Sequence, residues 1–532
     1  MSKNNSKRSI FLPVILAITL IAGILIGIYL PDRFENPSNV NIRLRPNKIQ
    51  SILDIIESNY VDSVNRDEII ETTIPEILKN LDPHSVYIPA KELKRANEPL
   101  QGNFEGIGIS FNMLTDTILV ISTIPGGPSE KIGLHPGDKI LYVNDSLVAG
   151  QGISDEKVMS MLKGPRGTLV NVKILRKGHK DLLDFDITRD KIPIYSVDVA
   201  YMINENTGYI KINNFALTTY DEFMQGLNEL KQQGMKNLIV DLRGNSGGIM
   251  ESAIQIANEF LSEGKLIVYT KGRKQPRSEA RATGKGEFNS GGLVILIDEW
   301  SASASEILAG AIQDNDRGTI IGRRSFGKGL VQEPVVFPDG SGMRLTIARY
   351  YTPTGRSIQK PYDNGFEEYF ADLNIRYGRG EFEESDSIQF TDTLKYKTPG
   401  GKTVFGGGGI MPDLFVPVDT SGISTYFLQV RPFIYQFSLK FTENHRENLS
   451  KYTESDELEK HLDKQNLMDQ FTEFASKQGI KPDPEGLKIS GKIIHTQIKA
   501  YIARNILNNK GFYPVWENID TTLKYAVEYL KK

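Results

Sequence analysis

Gly322-Arg323-Arg324-Ser325-Phe326-Gly327-Lys328-Gly329-Leu330-Val331-Gln332-Glu333-Pro334-Val335-Val336-Phe337 is the stretch on which the fold turns. Its first seven residues match the phosphate-binding pattern G-x-x-x-x-G-K. That pattern next needs Ser or Thr to hold magnesium, and Gly329 stands there. A phosphate loop must also open a helix, whereas residues 330–337 are β-branched and contain Pro334, which reads as a strand. A nucleotide-binding core is therefore excluded. What remains is a lysine between two glycines, beside Phe326, Leu330 and Val331. Desolvation in such a setting lowers the pKa of an amine and frees it to take a proton from a hydroxyl. Gln332, four positions on, is placed to orient that amine with its amide oxygen.

Upstream, Ser301-Ala302-Ser303-Ala304-Ser305-Glu306 follows the apolar run Leu293-Val294-Ile295-Leu296-Ile297 and precedes a helical pattern from Ile307 to Ile312. A serine at a strand-to-helix turn presents its hydroxyl at the end of a sheet, with the next backbone N–H available as an oxyanion donor. Ser303 and Glu306 also match a capping box, worth about 1 kcal/mol to helix stability with no catalysis needed. Taken alone, the cap is the simpler account. Further upstream, Asp241-Leu242-Arg243-Gly244-Asn245-Ser246-Gly247-Gly248 links the strand Leu238-Ile239-Val240-Asp241 to a helix predicted over 249–261. A strand, a glycine loop and a helix N-terminus make a general anion site, and this one fits no dinucleotide or triphosphate pattern. An oxyanion suits it as well as a phosphate.

The composition limits the chemistry in the same direction. The 532 residues include no cysteine and six histidines, so disulfides, thiolate metal sites and cysteine nucleophiles are removed together. No two histidines lie within a few residues of each other, HExxH is absent, and no metal or other cofactor is implied. A formal net charge of −3 supplies no global positive field for nucleic acid.

Along the chain, Lys3, Lys7 and Arg8 precede an uncharged run from Ile10 to Leu30, long enough for the ~20 residues that span a bilayer. The basic flank favours a cytoplasmic N-terminus, with everything after Pro31 outside. A cleaved signal peptide is the competing reading, against which the run is long and no A-x-A site follows it. The chain divides into residues 1–36 (cytoplasmic N-terminus and membrane anchor), 37–100 (short helices), 101–191 (a small β domain with a helix near 154–163), 192–420 (alternating strands and helices) and 421–532 (helical, with no visible chemistry). Strand-helix alternation predicts a parallel or mixed α/β core. The acidic stretch 378–386, with Glu381, Glu383, Glu384 and Asp386, is expected to be a solvated insertion.

In the β domain, Gly106-Ile107-Gly108-Ile109 lies before a strand, where such a loop turns backbone N–H groups into a nest for a peptide carboxylate. A tight turn alone would also use these glycines. The later run Ile124-Pro125-Gly126-Gly127-Pro128 through Gly137-Asp138-Lys139-Ile140-Leu141 resembles a PDZ domain, in the arrangement of bacterial secreted proteases. Asp241 to Gly248, Ser301 to Glu306 and Ser325 to Gln332, in that order, resemble the carboxy-terminal processing peptidases, or tail-specific proteases. Leu81-Asp82-Pro83-His84-Ser85, Tyr351-Thr352-Pro353-Thr354-Gly355-Arg356 and Gly408-Gly409-Ile410-Met411-Pro412-Asp413 extend the resemblance. One departure is Gly244-Asn245-Ser246, where many members read N-N-G or N-P-G.

The resemblance implies a crotonase-like α/β protease core with an inserted PDZ domain and helical flanks. It implies Ser303 as nucleophile, Lys328 as base and Gln332 as its partner. The oxyanion donors would be the backbone of Ala304 and of Gly247 or Gly248. It further implies that Gly106, Ile107, Gly108 and Ile109 bind the carboxylate of an apolar C-terminal tail. The expected enzyme is a single-pass serine endopeptidase of the bacterial cytoplasmic membrane, working on the periplasmic or extracytoplasmic side on envelope proteins or peptides with exposed C-termini. A homo-oligomer is left open. A catalytically inactive PDZ adaptor is the alternative from another class, and a crotonase-type acyl-CoA enzyme would leave the PDZ segment and the anchor unexplained.

Overall fold

The structure, a computed structural model, describes residues 17, 19–22, 47–113, 116–388 and 395–532. The apolar run Ile10–Leu30 lies outside these except for 17 and 19–22, which are helical. Among the described residues no helix is long and apolar enough to cross a membrane. The chain forms two compact units, Met1–Ile74 and Pro75–Lys532. In the first, the helix Lys48–Asn59 is capped by Asn47, whose side chain accepts the Ile49 N–H, and Arg66 pairs with Asp54 and Glu57.

The larger unit is built around a six-stranded sheet. Val197–Met202 runs antiparallel to Thr207–Ile212, after which Asn237–Asp241, Gly292–Ile297, Thr319–Gly322 and Leu414–Phe415 continue in parallel. The parallel strands are apolar without alternation because both faces are covered. Leu238, Val240, Leu293, Ile295 and Ile297 face the helices Thr219–Gln232, Met250–Asn258 and Ala304–Asp314 in the main core. Ile239, Val294, Leu296 and Ile321 face the other way, onto Leu523 and Ala526 of the last helix, Thr521–Leu530. The C-terminal region thus closes the open face of the sheet. Its remaining helices, chief among them Thr425–Leu449 and Pro484–Leu507, have a core of their own around Phe437, Phe471, Ile494 and Ile498.

A second sheet joins Val86–Ile88, Gly342–Tyr351, Leu266–Lys271 and Ser278–Arg281, with Leu330–Val336 also on Gly342–Tyr351. Residues 330–336 are therefore a strand, as Pro334 and the β-branched run require. The inserted β domain is an antiparallel sheet in the order Ile109–Asn112, Ile118–Thr123, Lys139–Val143, Leu169–Leu175, Leu183–Thr188. Its helix Asp155–Leu162 is capped by Ser154. Leu119 and Ile121 on its second strand pack against Leu439 of the C-terminal region.

One expectation is overturned. Glu381 is not solvated: its carboxylate is buried between Arg324 and Arg376, accepting from both guanidinium groups at 2.7–2.8 Å. Arg376, five residues back, and Arg324, far upstream, draw it inward, and of the four acidic residues Glu383, Glu384 and Asp386 stay exposed.

Because Leu523 is buried against the sheet, Leu523→Ala should lower the unfolding free energy by about 2–5 kcal/mol. Urea denaturation would show this as a lower midpoint with an unchanged slope.

Candidate active site

The carboxyl ends of two adjacent parallel strands, Asn237–Asp241 and Gly292–Ile297, place the loops 242–248 and 298–303 side by side. Clefts at such ends are where open α/β sheets carry out their chemistry. Asn245, fully buried, bolts the loops together. Its carbonyl accepts the Ala302 N–H and the Ser305 hydroxyl, its Oδ1 accepts the Gly247 N–H, and its Nδ2 donates to Ile212.

The three serines of 301–305 are not equivalent. Ser301 Oγ donates to the Leu242 carbonyl at 2.9 Å and Ser305 Oγ to that of Asn245 at 2.9 Å, and both residues are wholly buried. Ser303 is partly exposed and has φ 55° and ψ −113°, a conformation costly for a side chain with Cβ. Gly247 makes that turn possible: a Cβ there would lie 2.7 Å from Ser303 Cβ. Gly247 N–H is committed to Asn245, whereas Gly248 and Ala304 donate their N–H to no partner among the described residues. Of the two glycines expected as oxyanion donors, Gly248 is thus the one with a donor to spare.

Glu306 joins this turn to the lysine loop. The capping-box pairing with Ser303 is present, with Glu306 Oε2 accepting the Ser303 N–H at 2.8 Å. The same carboxylate accepts the Lys328 N–H at 2.9 Å, the Gly327 N–H at 2.8 Å and the Ser325 hydroxyl at 2.5 Å. Burial pushes its pKa up to about 7, and the four donors hold it from rising further. The cap and the active-site scaffold are therefore the same residue pair. Tyr350, buried in the second sheet, sets its hydroxyl against the carbonyls of Lys328 at 2.6 Å and Ser303 at 3.0 Å.

Burial, reinforced by the charge of Arg344, lowers the Lys328 pKa below the usual lysine range, with Asp82 and Glu306 opposing. Lys328 Nζ donates to Gln332 Oε1 at 3.2 Å, and Gln332 Nε2 donates to the His84 carbonyl. Among the described residues no hydrogen bond joins Lys328 Nζ to Ser303 Oγ. Phe326, adjacent to the lysine loop in sequence, lies instead beneath Lys360 Nζ, 3.9 Å from the ring centroid. His84 is held by Tyr369, whose hydroxyl is 2.7 Å from Nε2, and burial together with the Lys328 charge pushes its pKa down to about 3. Asp82 fixes this segment through the His84 and Ser85 N–H groups and Thr346 Oγ1.

In the β domain, Gly106 ends the strand Asn103–Gly106 and Ile109 opens an edge strand that pairs on one side only. Gly108 has φ 74°. The Ile107 carbonyl accepts from Ser129 N–H and Oγ, the Gly108 carbonyl accepts the Ile124 N–H, and neither residue's own N–H has a partner among the described residues. The Ile107 side chain is packed in the domain core, leaving its backbone as the group available to a ligand.

Sequence reading missed Asn245, Tyr350 and His84 as parts of the site, and saw Glu306 only as a cap. Asn245 and Glu306 stood inside the motifs that drew attention, so proximity in the chain was a usable signal. Tyr350 had none.

Residues 206–367 match the model of peptidase family S41, residues 106–187 that of the PDZ domain, and residues 426–508 that of a family of unknown function. The chain is 35% identical over 313 residues to the carboxy-terminal-processing protease of Bartonella bacilliformis, covering 58% of this chain and 71% of that one. The chain belongs to the carboxy-terminal processing protease family. It is also 33% identical over 314 residues to the carboxy-terminal processing protease CtpA of Bacillus subtilis, spanning 59% of this chain and just under two thirds, 66%, of that relative. Among solved structures, the photosystem II D1 C-terminal processing protease is similar at 24% identity and a TM-score of 0.35, over 70% of this chain and 93% of that one. Ser303, Lys328 and Gln332 all lie within the residues matched by the peptidase family S41 model, 206–367.

Removing Glu306 leaves four donors without their acceptor, and each buried unpaired donor costs about 1–3 kcal/mol. Glu306→Ala should therefore lose at least about 3 kcal/mol of stability by that reckoning and label more slowly with a fluorophosphonate. Denaturation and labelling rates, read together, check both parts.

Proposed function

We propose that this protein is a serine endopeptidase with a Ser303/Lys328 dyad. The observation that carries the reading is the inequality of the serines. Of three hydroxyls on one turn, two are spent on backbone carbonyls, and the third sits on a strained turn beside two uncommitted N–H groups. Ser303 Oγ attacks the scissile carbonyl while Lys328 Nζ takes its proton. The carbonyl oxygen, now negative, is received by the N–H groups of Ala304 and Gly248. Collapse breaks the C–N bond, Lys328 returns the proton to the leaving amine, and water then hydrolyses the acyl-enzyme. General bases often close on their nucleophiles only in the substrate complex, so the approach of Lys328 to Ser303 accompanies binding. Gln332, anchored on His84, keeps the amine within that range.

Substrates are proteins or peptides with exposed, weakly structured C-termini. The tail adds a strand to the sheet beside Ile109–Asn112, its carboxylate in the turn at 106–109, a mode of recognition that main-chain hydrogen bonding makes tolerant of sequence. The core is read as crotonase-like. The run Ile10–Leu30 with its basic flank supports a membrane anchor, placing the catalytic part outside the cytoplasm and its substrates in the cell envelope.

Cleavage of an internally quenched peptide with an apolar C-terminus by the protein, beside Ser303→Ala, Ser305→Ala and Lys328→Ala, tests the reading. Ser303→Ala and Lys328→Ala should lose at least about 10³-fold in kcat, and Ser305→Ala should retain fluorophosphonate labelling. Turnover by Ser303→Ala at the wild-type rate would sink the dyad, and binding without cleavage by the unmutated protein would favour the adaptor. Only the neutral amine is a base, so kcat/KM should rise with pH and level off above the Lys328 pKa, which lies below the 10.5 of a free lysine. A rate flat from pH 5 to 10 would exclude lysine as the base.

A further inference from the structure

The C-terminal region does more than cover the sheet. Arg243, on the loop that carries Gly247 and Gly248, has its guanidinium gripped along two edges. Asp241, at the end of the preceding strand, accepts from Nε at 3.0 Å and from Nη2 at 2.6 Å. Asp520, nearly 280 residues later, accepts from Nη1 at 2.9 Å and Nη2 at 2.7 Å in a paired, two-bond arrangement. Such forked contacts fix orientation as well as adding energy. The pair is largely shielded, with side-chain exposures of 19% for Arg243 and 12% for Asp520, so it is worth more than a surface ion pair. Asp520 is itself fixed: its Oδ1 caps the last helix by accepting the Leu523 N–H, and that helix is seated on the sheet through Leu523 and Ala526.

The grip passes along the loop. The Arg243 N–H donates to Asp241 at 2.9 Å, the Arg243 carbonyl accepts from Lys211 Nζ, and the Gly244 N–H donates to Asp298 at 2.9 Å. Asn245 follows, holding Gly247 and the turn before Ser303. Beside the clamp lies a cavity of about 290 Å³ lined by Tyr209, Lys211, Arg243, Arg323, Tyr513 and Asp520. Without Asp520 the guanidinium would be held by Asp241 alone, on one edge, with its other edge facing this cavity.

We infer that Asp520 is a positioning residue for the oxyanion loop, acting through Arg243 to hold Gly248 in register with Ser303. The inference rests on the serine-peptidase reading above. It makes the C-terminal segment part of the active-site support.

Asp520→Ser keeps a good helix cap but is too short to bridge Arg243; Asp520→Asn keeps the cap and one acceptor. Glu517→Gln is the control, because Glu517 ties the same segment to Tyr201 without touching the loop. The full-length protein and these variants are compared for kcat and KM on the quenched peptide, for inhibition by a peptide boronate, and for thermal midpoint. The boron of that probe bonds Ser303 Oγ and sets a hydroxyl in the oxyanion position. Asp520→Ser should lose about 10- to 100-fold in kcat with KM within about twofold, and boronate affinity should fall by the same factor. Asp520→Asn should fall between, and Glu517→Gln should match wild type. Wild-type kcat in Asp520→Ser, a loss confined to KM, or an equal loss in Glu517→Gln would overturn the inference while leaving the dyad intact if Ser303→Ala is dead. Activity in Ser303→Ala would overturn both.

Discussion

A single buried carboxylate organises the site. Glu306 accepts from the Ser303 N–H at one end of its helix and from Ser325, Gly327 and Lys328 across the cleft. The two segments reach the cleft from different strands: Ser303 follows Gly292–Ile297, and Lys328 lies on the loop that leaves the neighbouring strand Thr319–Gly322 and crosses to Leu330–Val336 of the second sheet. Side-chain packing alone would leave their separation soft. A carboxylate with four donors is a stiff joint, because every departure strands a polar group away from water. Tyr350 spans the same gap on the carbonyl side, so the two backbones are held through both their donors and their acceptors.

Around that joint the fold is layered for rigidity. The parallel sheet is covered by helices on one face and by the C-terminal segment on the other, which is what unalternating strands such as Leu238-Ile239-Val240 require. Loops leaving its carboxyl ends start from fixed points, and they are tied down again by Asn245, Asp298 and the pair Arg324–Glu381. The inserted β domain has Ile109–Asn112 at the edge of its sheet, paired on one side to Ile118–Thr123, whose Leu119 and Ile121 pack against the C-terminal region. The domain is thus anchored on the side away from its edge strand.

The absence of cysteine and the sparse histidine match the proposal that an amine is the base, and the surroundings of Lys328 suit that proposal. Burial lowers the amine, Gln332 accepts from it, and Asp82 and Glu306, whose charges oppose that lowering, are hydrogen-bonded to other donors. His84, the one imidazole close to Lys328, is tied to Tyr369 and kept neutral by burial. Its contribution is made through its carbonyl, which no pattern of side-chain types in a sequence could disclose.

Local sequence determined the parts whose physics is local. The run 322–337 declared itself a loop followed by a strand over 330–336, and not a phosphate loop, through Gly329 and Pro334. The two turns at 241–248 and 301–306 declared their strand-to-helix placement, and the strand after Gly108 was legible from its sequence pattern. Relations between distant residues were decided by the tertiary structure alone. Ser303 is singled out from Ser301 and Ser305 by which carbonyls the neighbouring loop presents. Gly248 is singled out from Gly247 by the side chain of Asn245. Glu381 looked solvated among its acidic neighbours, and it is buried because Arg376 and the far upstream Arg324 meet there. Asp520 sits in a stretch with no motif at all. Turn conformation and strand character follow from energies within a few residues, whereas hydrogen-bond satisfaction and ion pairing depend on which groups meet in space, and only the assembled chain specifies that.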